Sequence, residues 1–254
     1  MRAGGFDIGS RYIKYVVLED GREHLFYKEE TGYDPLGTCR SFLAETKPDA
    51  ILATGYGRHL LSVESNIPTI TEIKAVAKGA RHFFPTCRTI LDIGGQDTKV
   101  VQLDEKGAVS NFEMNDRCAA GTGKFLEIMA KALGYEMEAF GNQCGPGGDR
   151  IAINSLCTVF AESEVIGLIA KGVKRESISA ALHQSVVTKV APLLKRMGVK
   201  QDIVFAGGCA RNACLRQMLE EKMGQPLLVH ENPDMLTAYG AALAAKQSPI
   251  INAL

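Results

Sequence analysis

The chain has 254 residues, of which 46% are apolar and 23% are charged, enough for one large or two modest hydrophobic cores. Its 29 lysines and arginines balance its 29 aspartates and glutamates, so no net field favours nucleic acid or an anionic membrane surface as a partner. No stretch reaches the roughly 18 apolar residues of a transmembrane helix, and strand-like sequence follows almost at once after Met1. These features predict a cytoplasmic protein.

The first predicted element is a β-hairpin that recurs later in the chain. "FDIGSRYIKYVVLEDG" begins at Phe6 and "LDIGGQDTKVVQLDEKG" begins at Leu91. Each reads as an apolar strand ending near an aspartate, a glycine-containing turn and a β-rich return. The aligned positions, all at one offset, are Asp7 with Asp92, Ile8 with Ile93, Gly9 with Gly94, Lys14 with Lys99 and Leu18 with Leu103. The alternative is two unrelated hairpins that match by chance.

The duplicated turns favour a phosphate-bearing ligand. Glycines at Gly9, Gly94 and Gly95 let the backbone approach closely and present N–H donors to an anion. Asp7 and Asp92, at strand ends, have the chemistry to hold a hydrated magnesium ion or to orient an attacking water. The repeat therefore predicts two lobes whose turns converge on a bound phosphate compound.

Between the hairpins the sequence alternates strands and helices, which argues for an α/β fold. The segment 50–54 reads as a strand, "GYGR" at 55–58 follows it, and 69–85 reads as a helix. Thr69 and Glu72 fit a capping box for that helix, and Pro85 ends it. We expect the boundary near residues 86–88, with one lobe over 1–87 and the other over 88–254, whose last helix is able to pack across to the first lobe.

Longer helices dominate the second half. After a strand in "AVSNFEMND", the spacing predicts helices at 121–134, 157–172 and 177–198, the last kinked at Pro192. Residues 202–224 then read as strand, glycine turn and helix. The turn at Gly207 and Gly208 either backs onto the adenosine part of a nucleotide or is a plain strand-to-helix connection.

The cysteines form no local metal-binding spacing. There are seven, an odd and scattered set that predicts no disulfides and mostly buried, inert thiols. Cys118 is unusual because it stands in "RCAAGTGKF", just before a small-residue turn that opens a predicted helix. Helix N-termini favour a capping oxygen or an anion, so a thiol there needs a reason.

Six motifs together resemble one family. They are "DIGS" with Lys14, "TGYGR", "DIGGQDTKV", "MNDRCAAGTGKF", "CTVFAESEV" and "AGGCARN". Across essentially the whole chain they resemble the activator component of 2-hydroxyacyl-CoA dehydratases, in the wider group with the activating subunits of benzoyl-CoA reductase. The resemblance implies an α/β fold of two duplicated ribonuclease H-like lobes, of the acetate and sugar kinase, Hsp70 and actin superfamily, closing over ATP and Mg²⁺.

The resemblance also implies an activity. Such activators are homodimers that share one [4Fe–4S] cluster between subunits. They take an electron from reduced ferredoxin or flavodoxin and, driven by ATP hydrolysis, pass it to an iron–sulfur partner such as a dehydratase. Cys118 and Cys157 match the cluster positions of the family, so two chains would supply the four thiolates that a [4Fe–4S] cluster usually takes.

The remaining site residues follow from the same resemblance. The implied catalytic residues are Asp7, Asp92 and Gln96. The implied nucleotide contacts are Gly9, Ser10, Lys14, Gly94 and Gly95 at the phosphates, and Gly121, Gly123, Lys124, Gly207 and Gly208 at the ribose or adenine. Arg11 departs from the hydroxyl-rich turn of the superfamily and either contacts a phosphate or points to solvent. Glu162 either reaches the nucleotide or is an exposed helix carboxylate.

Two other functions fit the duplicated turns. A small-molecule kinase of the same fold would carry the same aspartates and glycines, and so would a nucleotide-gated scaffold resembling the actin or chaperone branch. Replacing Cys118 separates the first of these from a cluster protein, because a kinase should keep phosphotransfer. Phosphate release separates the second, because a scaffold binds nucleotide without appreciable turnover.

Overall fold

The computed structural model describes residues 1–20, 22–143, 151–153 and 157–247. The chain divides into two compact units. The first consists of Met1–Arg88, Leu103–Ser110 and Asp234–Leu254, and the second of Thr89–Gln102 and Asn111–Pro233. The assignment of 1–87 and 88–254 to two duplicated lobes stays a prediction.

The secondary structure alternates as an α/β fold requires. The strands are β1 (Arg2–Ile8), β2 (Tyr12–Glu19), β3 (Arg22–Glu30), β4 (Ala50–Thr54), β5 (Thr89–Ile93), β6 (Thr98–Leu103), β7 (Val109–Asn115), β8 (Ile203–Ala206) and β9 (Leu227–Leu228). The helices are α1 (Pro35–Thr46), α2 (Arg58–Ser65), α3 (Glu72–Phe83), α4 (Gly123–Ala132), α5 (Met137–Gly141), α6 (Thr158–Ala170), α7 (Arg175–Met197), α8 (Ala213–Met223) and α9 (Leu236–Ala245). Short 3-10 helices cover Gly208–Arg211 and Pro233–Met235.

The two units repeat one sheet pattern. In the first unit the strand order is β3-β2-β1-β4, and in the second it is β7-β6-β5-β8-β9. β1 is antiparallel to β2 and parallel to β4, and β5 is likewise antiparallel to β6 and parallel to β8. Both predicted hairpins are therefore confirmed. Their registers agree as well, since Asp7 lies opposite Lys14 and Asp92 opposite Lys99.

The core of the first unit is completed by a helix from the end of the chain. Phe6 and Tyr15 stack with ring centroids 4.1 Å apart among the buried residues of β1 and β2. On the other side of the sheet, α9 contributes Ala238, Tyr239 and Ala242 to a buried cluster with Val16 and Leu18.

Glycines set how closely α9 packs. A Cβ on Gly5 of β1 would overlap the backbone of Ala242, and a Cβ on Gly240 of α9 would overlap the carbonyl oxygen of Ala75 in α3. The α9 backbone therefore lies in direct contact with one strand and one helix. The core of the second unit is separate and is formed by β5, β6 and β8 with α4, α6, α7 and α8.

Most predicted helices are present, with one error in capping. The helices expected at 121–134, 157–172 and 177–198 correspond to α4, α6 and α7, and α7 continues through Pro192. The capping box at Thr69 is wrong, because Thr69 forms a β-bridge with Ala53. Thr71 caps α3 instead, with its Oγ1 accepting from Lys74 N at 3.4 Å.

The cysteines correct another prediction. Cys214 is disulfide-bonded, so the expectation of a chain without disulfides is wrong. That expectation rested on count and spacing, which do not reveal which thiols a fold brings together. Cys144 and the loop at 145–149 lie outside the described residues. Within the described ranges, no helix is long and apolar enough to cross a membrane.

Candidate functional site

The first unit buries a charge pair at the end of β1. Asp7 is 7% exposed, and the Nζ atom of Lys14 on β2 lies 2.9 Å from its Oδ2 atom. Because burying an unpaired charge is strongly unfavourable, this contact holds both side chains in place. The strand end thus presents a fixed carboxylate and a fixed ammonium beside the glycine turn.

The turn after β1 is held by the backbone and by one hydroxyl. Gly9 N donates to Tyr12 O at 3.0 Å, and the Oγ1 atom of Thr31 donates to Gly9 O at 2.7 Å. Ser10 is exposed. Arg11 lies at the surface, where its guanidinium is 3.4 Å from a carboxylate oxygen of Glu30.

The "TGYGR" motif lies against the same strand end. Gly55 has φ +91°, a conformation suited to glycine, and a Cβ there would overlap the carbonyl oxygen of Ile8. Gly57 N donates to that oxygen at 2.9 Å. The sequence contained this motif, but its position beside Asp7 was not predicted because nothing local links residue 55 to residue 8.

The second unit presents the equivalent turn after β5. Asp92 is 7% exposed, and Gly94 N donates to Asp97 O at 2.9 Å to close the turn. Gln96 is exposed at its tip. Two residues that sequence reasoning did not assign complete it, since Lys99 Nζ lies 2.7 Å from Asp97 Oδ1 and both side chains are buried.

The start of α4 is bonded directly to this turn. Gly123 N donates to Gly94 O and Lys124 N donates to Gly95 O, each at 2.8 Å. A Cβ on Gly123 would lie 3.0 Å from Gly94 O and 3.3 Å from the Sγ atom of Cys209. Four predicted nucleotide contacts, at positions 94, 95, 123 and 124, are therefore neighbours.

The turn after β8 joins the same group. Gly207 has φ +82°, and a Cβ there would overlap Oδ1 of Asp92. Burial, and then the charge of Asp92, raises the pKa of Cys209 to about 12, so this thiol stays neutral. From the sequence, Cys209 was predicted to be a buried, inert thiol. Its position directly after the Gly207–Gly208 pair was the one sequence feature that linked it to a predicted site.

A buried polar pair fixes the helix that follows. Asn212 caps α8 by accepting from Leu215 N at 2.8 Å, and its Nδ2 atom lies 2.9 Å from Nε2 of His183 on α7. Asn212 N also donates to Cys209 O at 3.0 Å. Neither His183 nor Asn212 was predicted as a site residue, because the pairing spans two helices that are distant in sequence.

The two predicted cluster cysteines are both exposed, and neither is in a disulfide. Cys157 is the N-cap residue of α6. Cys118 lies further out, because α4 begins at Gly123 with Thr122 as its N-cap. The helix-terminus argument thus applies to Cys157, whereas Cys118 belongs to a loop ahead of its helix.

The predicted residues fall into two sets. Asp7, Gly9, Ser10, Arg11 and Lys14 belong to the first unit, and the others to the second. Gly121 follows Cys118 with φ +95°, and Gly208 is exposed beside Gly207. Glu162 is exposed on α6, and in the described part of the chain no hydrogen bond or ion pair joins it to either turn.

Solved structures with this architecture define a class of nucleotide-binding proteins. A glucokinase of the ROK family from Streptomyces griseus aligns with a TM-score of 0.62 over 98% of this chain and 100% of that one, at 11% identity, which shows the fold alone. The activator of the 2-hydroxyisocaproyl-CoA dehydratase from Clostridium difficile, solved with bound ADPNP, aligns with a TM-score of 0.88 at 36% identity, covering 99% of this chain and 100% of that one. The chain therefore shares the α/β fold of these two solved structures.

The family is more specific. The chain belongs to the BadF/BadG/BcrA/BcrD ATPase family, whose model matches residues 5–245. The (R)-2-hydroxyglutaryl-CoA dehydratase activating ATPase of Acidaminococcus fermentans is 39% identical over 251 residues, covering 95% of each chain. The protein is accordingly an ATPase.

Proposed function

We propose that this ATPase is an activator that uses ATP hydrolysis to deliver single low-potential electrons to an iron–sulfur enzyme such as a 2-hydroxyacyl-CoA dehydratase. The activities named for its relatives support the proposal. The observation that carries it is the pair of exposed cysteines outside disulfides, Cys118 and Cys157. Cys118 stands just ahead of the segment that is hydrogen-bonded to Gly94 and Gly95.

The donor chemistry fits a shared cluster. A [4Fe–4S] cluster takes four thiolates and supplies a carrier of single electrons when bound. Burial raises the pKa of Cys39 and chiefly burial raises that of Cys209, each to about 12, which disfavours them as thiolates. Among the described residues no group of three or more histidines, cysteines, aspartates and glutamates is arranged to hold a metal. Two chains, each offering Cys118 and Cys157, match the need, so we propose a homodimer.

The chain's own groups account for ATP binding and hydrolysis. Gly9 and Gly94, whose N–H groups close their own turns, would let the backbone approach the β- and γ-phosphates closely. The N–H groups of Ser10 and Gly95 would face these phosphates, and Lys14 would offset their charge. Asp7 and Asp92 carry the carboxylate oxygens that Mg²⁺ prefers and would hold it through water. Gln96 would orient the attacking water, which is the acceptor. The nucleoside would lie near Gly121, Gly123, Lys124, Gly207 and Gly208. Arg11 would add a phosphate contact, and Glu162 would reach the nucleotide.

The cycle requires two conformers of the chain. ATP and ADP would favour different conformers, in which Cys118 and Cys157 are presented differently to the acceptor. A shift from 1:99 to 99:1 needs about 5.5 kcal/mol of differential binding, which the contacts of one γ-phosphate are able to supply. Reduced ferredoxin or flavodoxin in the cytoplasm would be the electron donor.

Iron content tests the proposal. Protein isolated without oxygen should contain about four irons per two chains. Cys118→Ser and Cys157→Ser should each lose the iron and the brown colour yet still hydrolyse ATP. Cys39→Ala is the matched control, because Cys39 is buried and proposed to ligate nothing, so its iron content should equal that of the wild type.

Two results would contradict the proposal. One is wild-type protein that stays colourless and monomeric after anaerobic reconstitution with iron and sulfide. The other is transfer of the γ-phosphate to a sugar or acid that survives replacement of both cysteines, which is the result expected of a kinase.

A further inference from the structure

We infer that Thr98 is a positioning residue that ties Cys118 to the phosphate turn, so that bound nucleotide changes the reactivity of Cys118 more than that of Cys157. The phosphate turn is residues 94–97, and the cysteine loop is residues 118–122. The inference rests on the proposed phosphate contacts of Gly94 and Gly95.

One buried hydroxyl connects the two segments. Thr98 is 1% exposed and is the first residue of β6, directly after Asp97, whose carbonyl accepts from Gly94 N. Its Oγ1 atom donates to the carbonyl oxygen of Gly121 at 2.8 Å. If the loop separated from the turn, this buried donor would lose its acceptor, which is unfavourable. The loop is therefore expected to follow the turn.

Two backbone bonds reinforce the connection. Gly123 N and Lys124 N donate to the carbonyl oxygens of Gly94 and Gly95. A Cβ on Gly123 would lie only 3.4 Å from Gly95 Cα, so the two segments touch at their backbones. A rotation of the Gly94–Gly95 peptides toward a phosphate would move these carbonyls and, with them, the start of α4.

The cysteine loop itself is stiff enough to transmit such a movement. Thr122 bonds back to Ala119 O through both its Oγ1 at 2.6 Å and its N–H at 3.0 Å. At the other end, Asn115 Nδ2 donates to Cys118 O at 3.1 Å. Cys157 is attached differently, since its carbonyl accepts from Ala161 N within α6.

Thiol alkylation of the full-length, iron-free chain tests the inference. Iodoacetamide is added without nucleotide, with Mg-ADP or with Mg-ADPNP, and labelling of Cys118 and Cys157 is followed by peptide mass spectrometry. In the wild type, the ratio of the two rates should differ between ADP and ADPNP by about fivefold or more, the lower end of typical allosteric couplings. In Thr98→Val the response of the ratio should be clearly smaller than in the wild type, since only the two backbone bonds remain, while ADPNP still binds. Thr98→Ser keeps the hydroxyl and should restore the response.

Several outcomes would overturn the inference. It fails if the wild-type ratio ignores the nucleotide, or if Thr98→Val responds as the wild type does. Should Thr98→Val not fold, Thr98→Ala also removes the hydroxyl that bonds Gly121 O, and an undiminished response in that variant refutes the inference equally. Iron binding is measured separately. The absence of a cluster would therefore refute the proposed function without deciding whether the alkylation ratio responds to nucleotide.

Discussion

His183 illustrates how the surroundings of a single residue decide its protonation state. Its Nδ1 atom lies 2.8 Å from Ser179 O, which only accepts, and its Nε2 atom lies 2.9 Å from the amide nitrogen of Asn212, which only donates. The ring is therefore neutral, with its proton on Nδ1. Burial lowers the pKa of His183, and the hydrogen bonds to Ser179 and Asn212 offset this only in part.

A pH-dependent loss of stability should follow. The unfolded chain titrates this group near pH 6.5, above its folded pKa, so the unfolded state takes up the proton first as pH falls. The contribution of His183 is complete above about pH 6.5 and is lost below it, by at most about 1.4 kcal/mol per pH unit. Urea unfolding at pH 7.5 and pH 5.5 should show this loss in the wild type and a smaller one in His183→Gln. His59→Gln, at an exposed position, should behave as the wild type; parallel profiles for all three would contradict the assignment.

The carboxylate of Asp92 supports a second expectation at this scale. Its Oδ1 atom is packed against Gly207 at the end of β5. Asp92→Asn keeps the shape but removes the charge, so ATP hydrolysis should fall by about 100-fold or more if Asp92 orients the reacting groups. Phosphate release at saturating ATP measures the effect, with nucleotide affinity as the check on folding. A rate of hydrolysis within a few-fold of the wild-type rate would show that Asp92 does not orient the reacting groups.

Single residues also show which site residues a sequence predicts and which it does not. Asp7 and Asp92 were found because the repeat aligns them, and their register opposite Lys14 and Lys99 agrees with that alignment. Thr98 gave no such signal. Its role depends on the carbonyl of Gly121, and a contact between residues far apart in the chain leaves no trace in local spacing.

At the scale of elements, the tight packing of α9 depends on glycine. Gly240 of α9 meets the carbonyl of Ala75, and Gly79 of α3 meets the carbonyl of Leu236. Such backbone contact maximises dispersion between the two helices but leaves no room for one methyl group. Hydrophobic periodicity predicts that a helix is buried, yet it does not predict how closely two helices approach.

A pair of glycine substitutions tests this packing. Gly240→Ala should destabilise the protein by about 1–3 kcal/mol or more, because the added methyl forces α9 away from α3. Gly167→Ala, in α6 with nothing within 4 Å of the added carbon, should instead stabilise by up to about 1 kcal/mol. Thermal unfolding of both variants provides the measurement. Equal melting temperatures for the two variants would show that α9 is able to move away from α3 without loss of stability.

Capping residues show which elements the sequence could have revealed. Asp34 accepts from Gly37 N at 2.9 Å, with Pro35 in the first turn of α1, a combination typical of a helix start that was readable in "YDPLG". By contrast, α2 is short, and its N-cap residue Gly57 has no side chain to cap it. The sequence carried no start signal for it, and contacts elsewhere in the fold decide that it is helical.

At the scale of the whole molecule, the polypeptide leaves the first unit and returns to it twice. Residues 103–110 and the segment from Asp234 onward both belong with Met1–Arg88. The boundary predicted near residues 86–88 rests on local signals, since Pro85 ends a predicted helix and the second hairpin follows. The sequence analysis allowed the last helix to pack across to the first lobe, but the contacts of α9 with β1, β2 and α3 leave no trace in local spacing.

Removal of α9 should therefore destabilise the N-terminal strands β1 and β2. In a chain ending at Pro233, Val16 and Leu18 lose their packing against Ala238, Tyr239 and Ala242. Hydrogen exchange should show β1 and β2 losing protection, while β5 and β8, whose core lies within the second unit, keep more of theirs. Protection lost equally in all four strands would indicate one cooperative unit instead.

The late position of α9 also has a consequence for biosynthesis. As the ribosome releases the polypeptide, the segment that emerges first has to wait until more than two hundred further residues are translated before its partner helix exists. The middle of the sequence is able to mature earlier. Nascent chains would then expose the apolar face of β1 and β2 throughout elongation, a period in which chaperones have the most reason to bind them.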